Sequence, residues 1–332
     1  MSYHIYGIGN ALVDQEFEVK DAFFQQAGIE KGIMTLIDEA QLSRLQTTLH
    51  SNYGLKKQAC GGSAANTIIG ATYFGASTFY TCNVANDEGG EFYAADLKAA
   101  GVDSNINGQR DQGITGKCMV MVTPDAERTM NTFLGITSDL HEKHINEQAL
   151  ASADYVYIEG YLVTSDTSRA AAIKVQELAR KHGVKVAVTF SDPAMTQYFR
   201  DGLLEILGTG VDLLFCNEQE AKTMAQTDDL TQAINFLKQY AQSFVITLGA
   251  KGAIAFDGEQ LIETAAEKIT PVDTNGAGDM FAGAFLYAIT HGHDFTAASR
   301  LAVAAAGLLI TQFGPRLEPQ QHQPLKQLLT SK

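Results

Sequence analysis

The most chemically pointed feature of this sequence is an aspartate that follows a run of small residues at the head of an apolar segment. Asp273-Thr274-Asn275-Gly276-Ala277-Gly278-Asp279 leads directly into Met280-Phe281-Ala282-Gly283-Ala284-Phe285-Leu286. The second stretch predicts a buried helix, and the first predicts a small-residue turn that opens it. In such a turn the backbone N–H groups of Gly276, Ala277 and Gly278 converge on one point, where the helix dipole adds its positive end. That is a place for a transferring phosphoryl group, whose charge builds on its outer oxygens. Asp279, in the first helical turn, then stands where a base can take the proton of an attacking hydroxyl. An isolated Gly-x-Gly-Asp also reads as a plain turn with a helix cap, so the rest of the chain must decide.

Four further segments carry related chemistry. Gly7-Ile8-Gly9-Asn10-Ala11-Leu12-Val13-Asp14 reads as a strand and turn, and an ionised Asp14 accepts two hydrogen bonds from vicinal hydroxyls, with Asn10 beside it. Gly61-Gly62-Ser63-Ala64-Ala65-Asn66 lets a substrate approach the backbone, and Asn66 can donate and accept. Asn217-Glu218-Gln219-Glu220 follows an apolar strand, at the carboxyl edge where open α/β sheets bind ligands. Thr247-Leu248-Gly249-Ala250-Lys251-Gly252 is a glycine turn. Each has a bland reading as a cap, a turn or a surface residue. Together, in this order over residues 7 to 279, they resemble the ribokinase, or phosphofructokinase-B, family of sugar and nucleoside kinases.

The resemblance implies ATP as phosphoryl donor and a ribose-bearing acceptor held by Asn10, Asp14, Gly61, Gly62, Ser63 and Asn66. It implies that Thr247, Gly249, Gly252 and Asn275 lie along the nucleotide with Asn217 and Glu220, and that Glu220 orders Mg²⁺ through water, which suits a cation that keeps its hydration shell. Relatives often use K⁺ beside the anion hole. Asp273, with carbonyls near Asn275 and a loop near Phe313-Gly314, is where the resemblance places it. Within Asp125-Ala126-Glu127-Arg128-Thr129-Met130-Asn131-Thr132, Arg128 matches an arginine that approaches the phosphate in the adenosine kinase branch, and a guanidinium binds two phosphate oxygens at once. Phe133, Phe17, Tyr161 and Phe23 are aromatic candidates for stacking on a purine. The bacterial adenosine kinases are the branch most resembled, which implies transfer to the 5′-hydroxyl of adenosine to give AMP. The alternatives are a sugar kinase of the ribose, fructose or ketodeoxygluconate type, or a kinase of inosine or guanosine.

Other readings fare worse. A dinucleotide fingerprint would need a glycine where Leu12 stands, and no Gly-x-x-x-x-Gly-Lys-Ser/Thr string occurs. The net charge of −14 argues against a nucleic-acid partner. No apolar run reaches the roughly 18 residues of a membrane helix. The sequence opens on an apolar stretch, Tyr3 to Gly9, with no basic region followed by an apolar one, so no export signal is expected. A cytoplasmic protein is expected, as monomer or homodimer. The four cysteines, Cys60, Cys82, Cys118 and Cys216, lie far apart and read as reduced, buried thiols.

These residues need a scaffold. Strands are expected at 5–9, 78–84, 155–162, 184–190, 211–216 and 244–248, with helices at 64–74, 168–182 and 230–241. This alternation predicts a mainly parallel sheet flanked by helices. Short β-branched pieces at 16–19, 32–37, 117–123 and 127–134 predict an antiparallel flap outside it. The expected architecture is α/β, a three-layer αβα sandwich of the ribokinase type in one domain over residues 1–332, with a lid from about 15–38 and 112–136.

Overall fold

The computed structural model describes residues 2–108, 110–125 and 127–330; Ala126, within the expected flap, lies outside them. Among the described residues the strands are β1 (Tyr3–Ile8), β2 (Leu12–Glu18), β3 (Met34–Leu36), β4 (Lys57–Gly61), β5 (Thr78–Thr81), β6 (Asp103–Ser104), β7 (Gly116–Val122), β8 (Arg128–Phe133), β9 (Ala153–Ile158), β10 (Lys185–Thr189), β11 (Val211–Asn217), β12 (Ala241–Thr247), β13 (Ala253–Phe256) and β14 (Leu261–Thr264).

Nine of them form one sheet in the order β14-β13-β12-β11-β10-β9-β1-β5-β6. From β6 to β12 every pairing is parallel, and β13 and β14 close one edge antiparallel. The central strands are apolar on both sides because alternate residues point to opposite faces. Ile5, Leu213 and Val245 pack on one side against the helices Ser63–Phe74, Ala277–Thr290 and Phe295–Leu309. Tyr6, Leu214 and Phe244 pack on the other against Asp166–His182, Arg200–Leu207 and Leu230–Leu237. The three expected layers are present. No helix of the described residues is long and apolar enough to cross a membrane.

The flap is a second sheet in the order β3-β8-β7-β2-β4. The β2–β4 and β7–β8 pairs are antiparallel, while β2–β7 and β3–β8 run parallel. Its outer face carries Phe17, Met119 and Met121, covered by Phe23, Phe24, Leu42 and Leu49 from the helices Asp21–Ala27 and Glu39–Asn52. Neither helix was expected, nor was β4. The signal for the longer helix is local: Asp38 accepts from the Gln41 N–H while Gln41 accepts from the Asp38 N–H, a capping box.

Some expected elements end early. The strand expected to reach residue 162 stops at Ile158, and a 3-10 turn, Gly160–Thr164, follows. There Gly160 lies against the Thr189 and Phe190 carbonyls, too close for any side chain. The helix expected at 230–241 ends at Leu237, and Ala241 already belongs to β12.

Candidate active site

The carboxyl ends of β1, β9, β10, β11 and β12 open on one cleft, as expected for a parallel sheet. The cleft encloses about 290 Å³ and is roofed by the inner face of the flap. The turn at 273–279 forms one wall. Gly276 caps the helix Ala277–Thr290 with φ +73, in the left-handed region, and lies against the Pro315 carbonyl, so only glycine fits. The Gly276 and Gly278 N–H groups find no acceptor among the described residues. The space where a side chain at 278 would stand is open. Backbone N–H groups set this way at a helix N-terminus suit an anion.

Asp279 follows in the first helical turn. Its Oδ1 accepts from Ser63 Oγ at 2.7 Å and its Oδ2 from Asn66 Nδ2 at 3.0 Å. Those partners come from the start of the helix Ser63–Phe74. The two helices approach closely because residue 283 is glycine, where a Cβ would lie 2.5 Å from the Thr67 carbonyl oxygen. Burial pushes the Asp279 carboxyl above the usual carboxylate range, against the pull of Ser63 and Asn66. A carboxylate raised this way is a better proton acceptor.

Asp14 lines the same cleft from β2 and is buried. Burial, aided by the neighbouring Glu16, pushes it up to about 8, while Arg316 and Arg128 pull the other way. Gly61, on β4 opposite Leu12, is out of the cleft and lies against the Asp14 carboxyl, so any side chain there would displace it. Asn10 and Gly62 also line the cleft. A residue that sequence reasoning missed holds this side together. Glu159, at the end of β9 and wholly buried, accepts the Asn10 N–H at 2.6 Å and the Ala64 N–H at 2.8 Å. Burial raises its carboxyl to about 7. Its two partners lie 149 and 95 residues away, so no local signal marks it.

Arg128 reaches the cleft from β8, and its Nε lies 3.5 Å from Asp273 Oδ1, an ion pair without a hydrogen bond. Asp273 itself is wholly buried outside the cleft. Its oxygens accept the Asn275 N–H and the Gly314 N–H, both at 2.9 Å. It braces the turn at 273–279, and each of its oxygens accepts one N–H. Asn275 lines the cleft with an Nδ2 that is buried and unpartnered, a donor free for a ligand.

On the nucleotide side, Asn217, Glu220 and Thr247 line the cleft. Asn217 and Glu220 form a reciprocal cap, with the Asn217 N–H donating to Oε2 at 2.9 Å and Nδ2 to Oε1 at 2.7 Å. Burial raises Glu220 to about 8, and Asp192, also in the cleft, adds to it. Two carboxylates beside an amide suit a hydrated Mg²⁺ held through water. Gly249 and Gly252 do not line the cleft; they make the turn into β13, where the Leu248 N–H donates to the Gly252 carbonyl.

Phe133 is corrected. It lies outside the cleft and packs on the covered, outer side of the flap. Arg128, Met130 and Thr132 line the cleft from the same strand, and residues an odd number of positions away face the other side. Phe17 and Phe23 share that outer core, whereas Tyr161 lines the cleft.

Comparison with known proteins identifies the scaffold. The profile described as pfkB family carbohydrate kinase matches residues 35–322. The chain is 28% identical over 334 residues to an adenosine kinase of Saccharomyces cerevisiae, covering 93% of this chain and 95% of that one. Among solved structures, an adenosine kinase from Sinorhizobium meliloti superposes with a TM-score of 0.91 at 33% identity, covering 98% and 99% of the two chains. A probable sugar kinase from Rhizobium etli superposes with a TM-score of 0.92 at 33% identity and the same coverage. A glycine turn at a helix N-terminus, with a buried carboxylate beside it in a cleft, thus sits on the scaffold of a phosphotransferase that acts on alcohols, and this chain belongs to the pfkB family of carbohydrate kinases.

Proposed function

We propose that the chain transfers the γ-phosphoryl group of ATP to the 5′-hydroxyl of adenosine. One observation carries the reading: Asp279 is held by two acceptor-side groups, Ser63 and Asn66, and lies one residue from the open amide of Gly278. A base between an alcohol and an anion hole has the arrangement for in-line transfer.

In this mechanism the ribose hydroxyls bind Asp14, with Asn10 and Asn66 beside it. Asp279 takes the 5′-hydroxyl proton as the oxygen attacks. The amides of Gly276 and Gly278, joined by that of Ala277, which otherwise donates to the Thr274 carbonyl at 3.3 Å, and the Arg128 guanidinium take up the charge on the transferring group. Glu220, with Asp192 beside it, would hold Mg²⁺ through water, and the ion would supply neutralisation of phosphate charge. No step is assigned to K⁺. The flap, from about 15–38 and 112–136, excludes water that would otherwise act as acceptor.

The choice of a nucleoside over a free sugar rests on the apolar part of the cleft. Leu12, Met34, Leu36, Met130 and Leu134 make a wall beside Asp14 that suits a flat base. The test is ADP release with Mg·ATP and a panel of adenosine, inosine, guanosine, ribose, fructose and ketodeoxygluconate. Adenosine is expected to exceed the others by at least about tenfold in kcat/KM. Preference for a free sugar would replace the substrate assignment, and no turnover with any acceptor would remove the kinase reading.

A further inference from the structure

The two halves of the cleft come from distant parts of the chain. The acceptor side hangs on β4 and the residues that follow it, and the phosphoryl side on the turn at 273–279. One ion pair outside the cleft touches the supports of both. Asp96, on the helix Glu88–Ala99, accepts the Cys60 N–H at 2.9 Å and Arg316 Nη2–H at 2.9 Å, both on Oδ2. Neither Asp96 nor Arg316 lines the cleft.

On the acceptor side, Cys60 directly precedes Gly61-Gly62-Ser63. Tyr93, from the same helix as Asp96, donates its hydroxyl to the Gly61 carbonyl at 2.8 Å. Two consecutive backbone groups of the substrate strand are therefore held by one helix. On the phosphoryl side, Arg316 ends the loop on which the anion hole rests. Gly314 donates to Asp273 at 2.9 Å, and the Pro315 carbonyl lies against Gly276.

We infer that the Asp96–Arg316 pair is a positioning element that sets the separation between the acceptor hydroxyl and the anion hole. This rests on the kinase reading and adds two residues to it. The Arg316 side chain is 11% exposed and that of Asp96 31%, so the pair is half-buried. An ion pair with one partner a third exposed contributes little net stability. What this one adds is a fixed length between two backbone segments. Burial pushes the Asp96 carboxyl up, but Arg316 and the Cys60 amide outweigh it and hold the group below the usual carboxylate range, so it stays charged at neutral pH.

The test compares wild type with Arg316→Met, Arg316→Lys and Asp96→Asn, measuring AMP and ADP separately at saturating Mg·ATP and adenosine. Misplacement of about 1 Å between reacting groups costs on the order of 100-fold, so Arg316→Met is expected to lose roughly that in kcat while both KM values stay within about threefold. ADP formed per AMP should rise above the wild-type ratio, because water gains access to a phosphoryl group that the acceptor no longer reaches. That ratio is insensitive to a simple loss of folded protein. Arg316→Lys should recover part of the loss, and adding Asp96→Asn to Arg316→Met should cost little more, since both remove one interaction. If Arg316→Met does not fold, Arg316→Lys and Asp96→Asn carry the same readouts with smaller expected losses. Variants with unchanged kcat, or with kcat falling only in step with the folded fraction at a constant product ratio, would overturn the inference. A wild-type chain that phosphorylates no acceptor would instead remove the kinase reading.

Discussion

Replacing Asp279 by asparagine removes a base while keeping the outline of the site. The amide oxygen can still accept from Ser63 Oγ, which lies 2.7 Å from the carboxylate. The amide NH₂ then faces Asn66, whose amide can turn its unpartnered Oδ1 to accept from it, so the contact at 3.0 Å is kept with its direction reversed. The outline of the site therefore changes little. The chemical loss is larger. General-base catalysis contributes about 10²–10⁴-fold, or roughly 3–5 kcal/mol of activation free energy. Asp279→Asn is therefore expected to lose about 10³-fold or more in kcat. ATP affinity should hold or improve, because a negative charge next to the anion hole is gone. Steady-state ADP release at saturating adenosine gives kcat, and nucleotide titration of the resting variant gives the ATP affinity. A variant within about fivefold of wild-type kcat would show that the 5′-hydroxyl needs no base here.

Other perturbations separate parts of the site. A Gly278→Ala side chain enters open space in the cleft, so the variant should fold with wild-type thermal stability yet lose about 10²-fold in kcat as the methyl blocks the amides; unchanged turnover would move the phosphoryl site elsewhere. Gly276→Ala acts oppositely, since φ is +73 and the Pro315 carbonyl blocks a side chain, and thermal melting should show a loss of about 2 kcal/mol or more. Arg128→Met should lower kcat by about 10²-fold with a smaller change in adenosine KM, measured in the same ADP assay. Glu16, buried with both oxygens unpartnered, has its carboxyl raised by burial from 4.5 to about 7. Its folded pKa exceeds its unfolded one, so the stability it contributes is present below about pH 4.5 and is lost as pH rises through 7. Melting of the unliganded protein should fall from pH 5 to pH 8, and Glu16→Gln should gain up to about 3 kcal/mol over wild type at pH 8 but not at pH 5; equal pH dependence in both would refute the assignment.

The legible parts of the site are those written locally. The 273–279 turn, the cap at Asn217 and Glu220, and the Gly61–Asn66 approach each use a few adjacent residues whose backbone does the work. The alternation of apolar strands and helices likewise marked the large sheet. What could not be read depends on partners distant in sequence. Glu159 and Asp96 act by accepting backbone N–H groups of other segments, and nothing around either residue announces it. Phe133 is different, because the signal was present. Arg128 and Phe133 lie on one strand five positions apart, so placing Arg128 in the cleft puts Phe133 outside it. The early stop at Ile158 is tertiary in origin, set by carbonyls of the β10 region that crowd Gly160.

The most direct measurement is a crystal structure of the protein with adenosine and a non-hydrolysable ATP analogue. The 5′-oxygen is expected within about 3 Å of the Asp279 carboxylate, with the terminal phosphate on the amides of Gly276–Gly278. A nucleoside bound with its 5′-oxygen beyond about 6 Å from Asp279, or a terminal phosphate away from those amides, would contradict the mechanism.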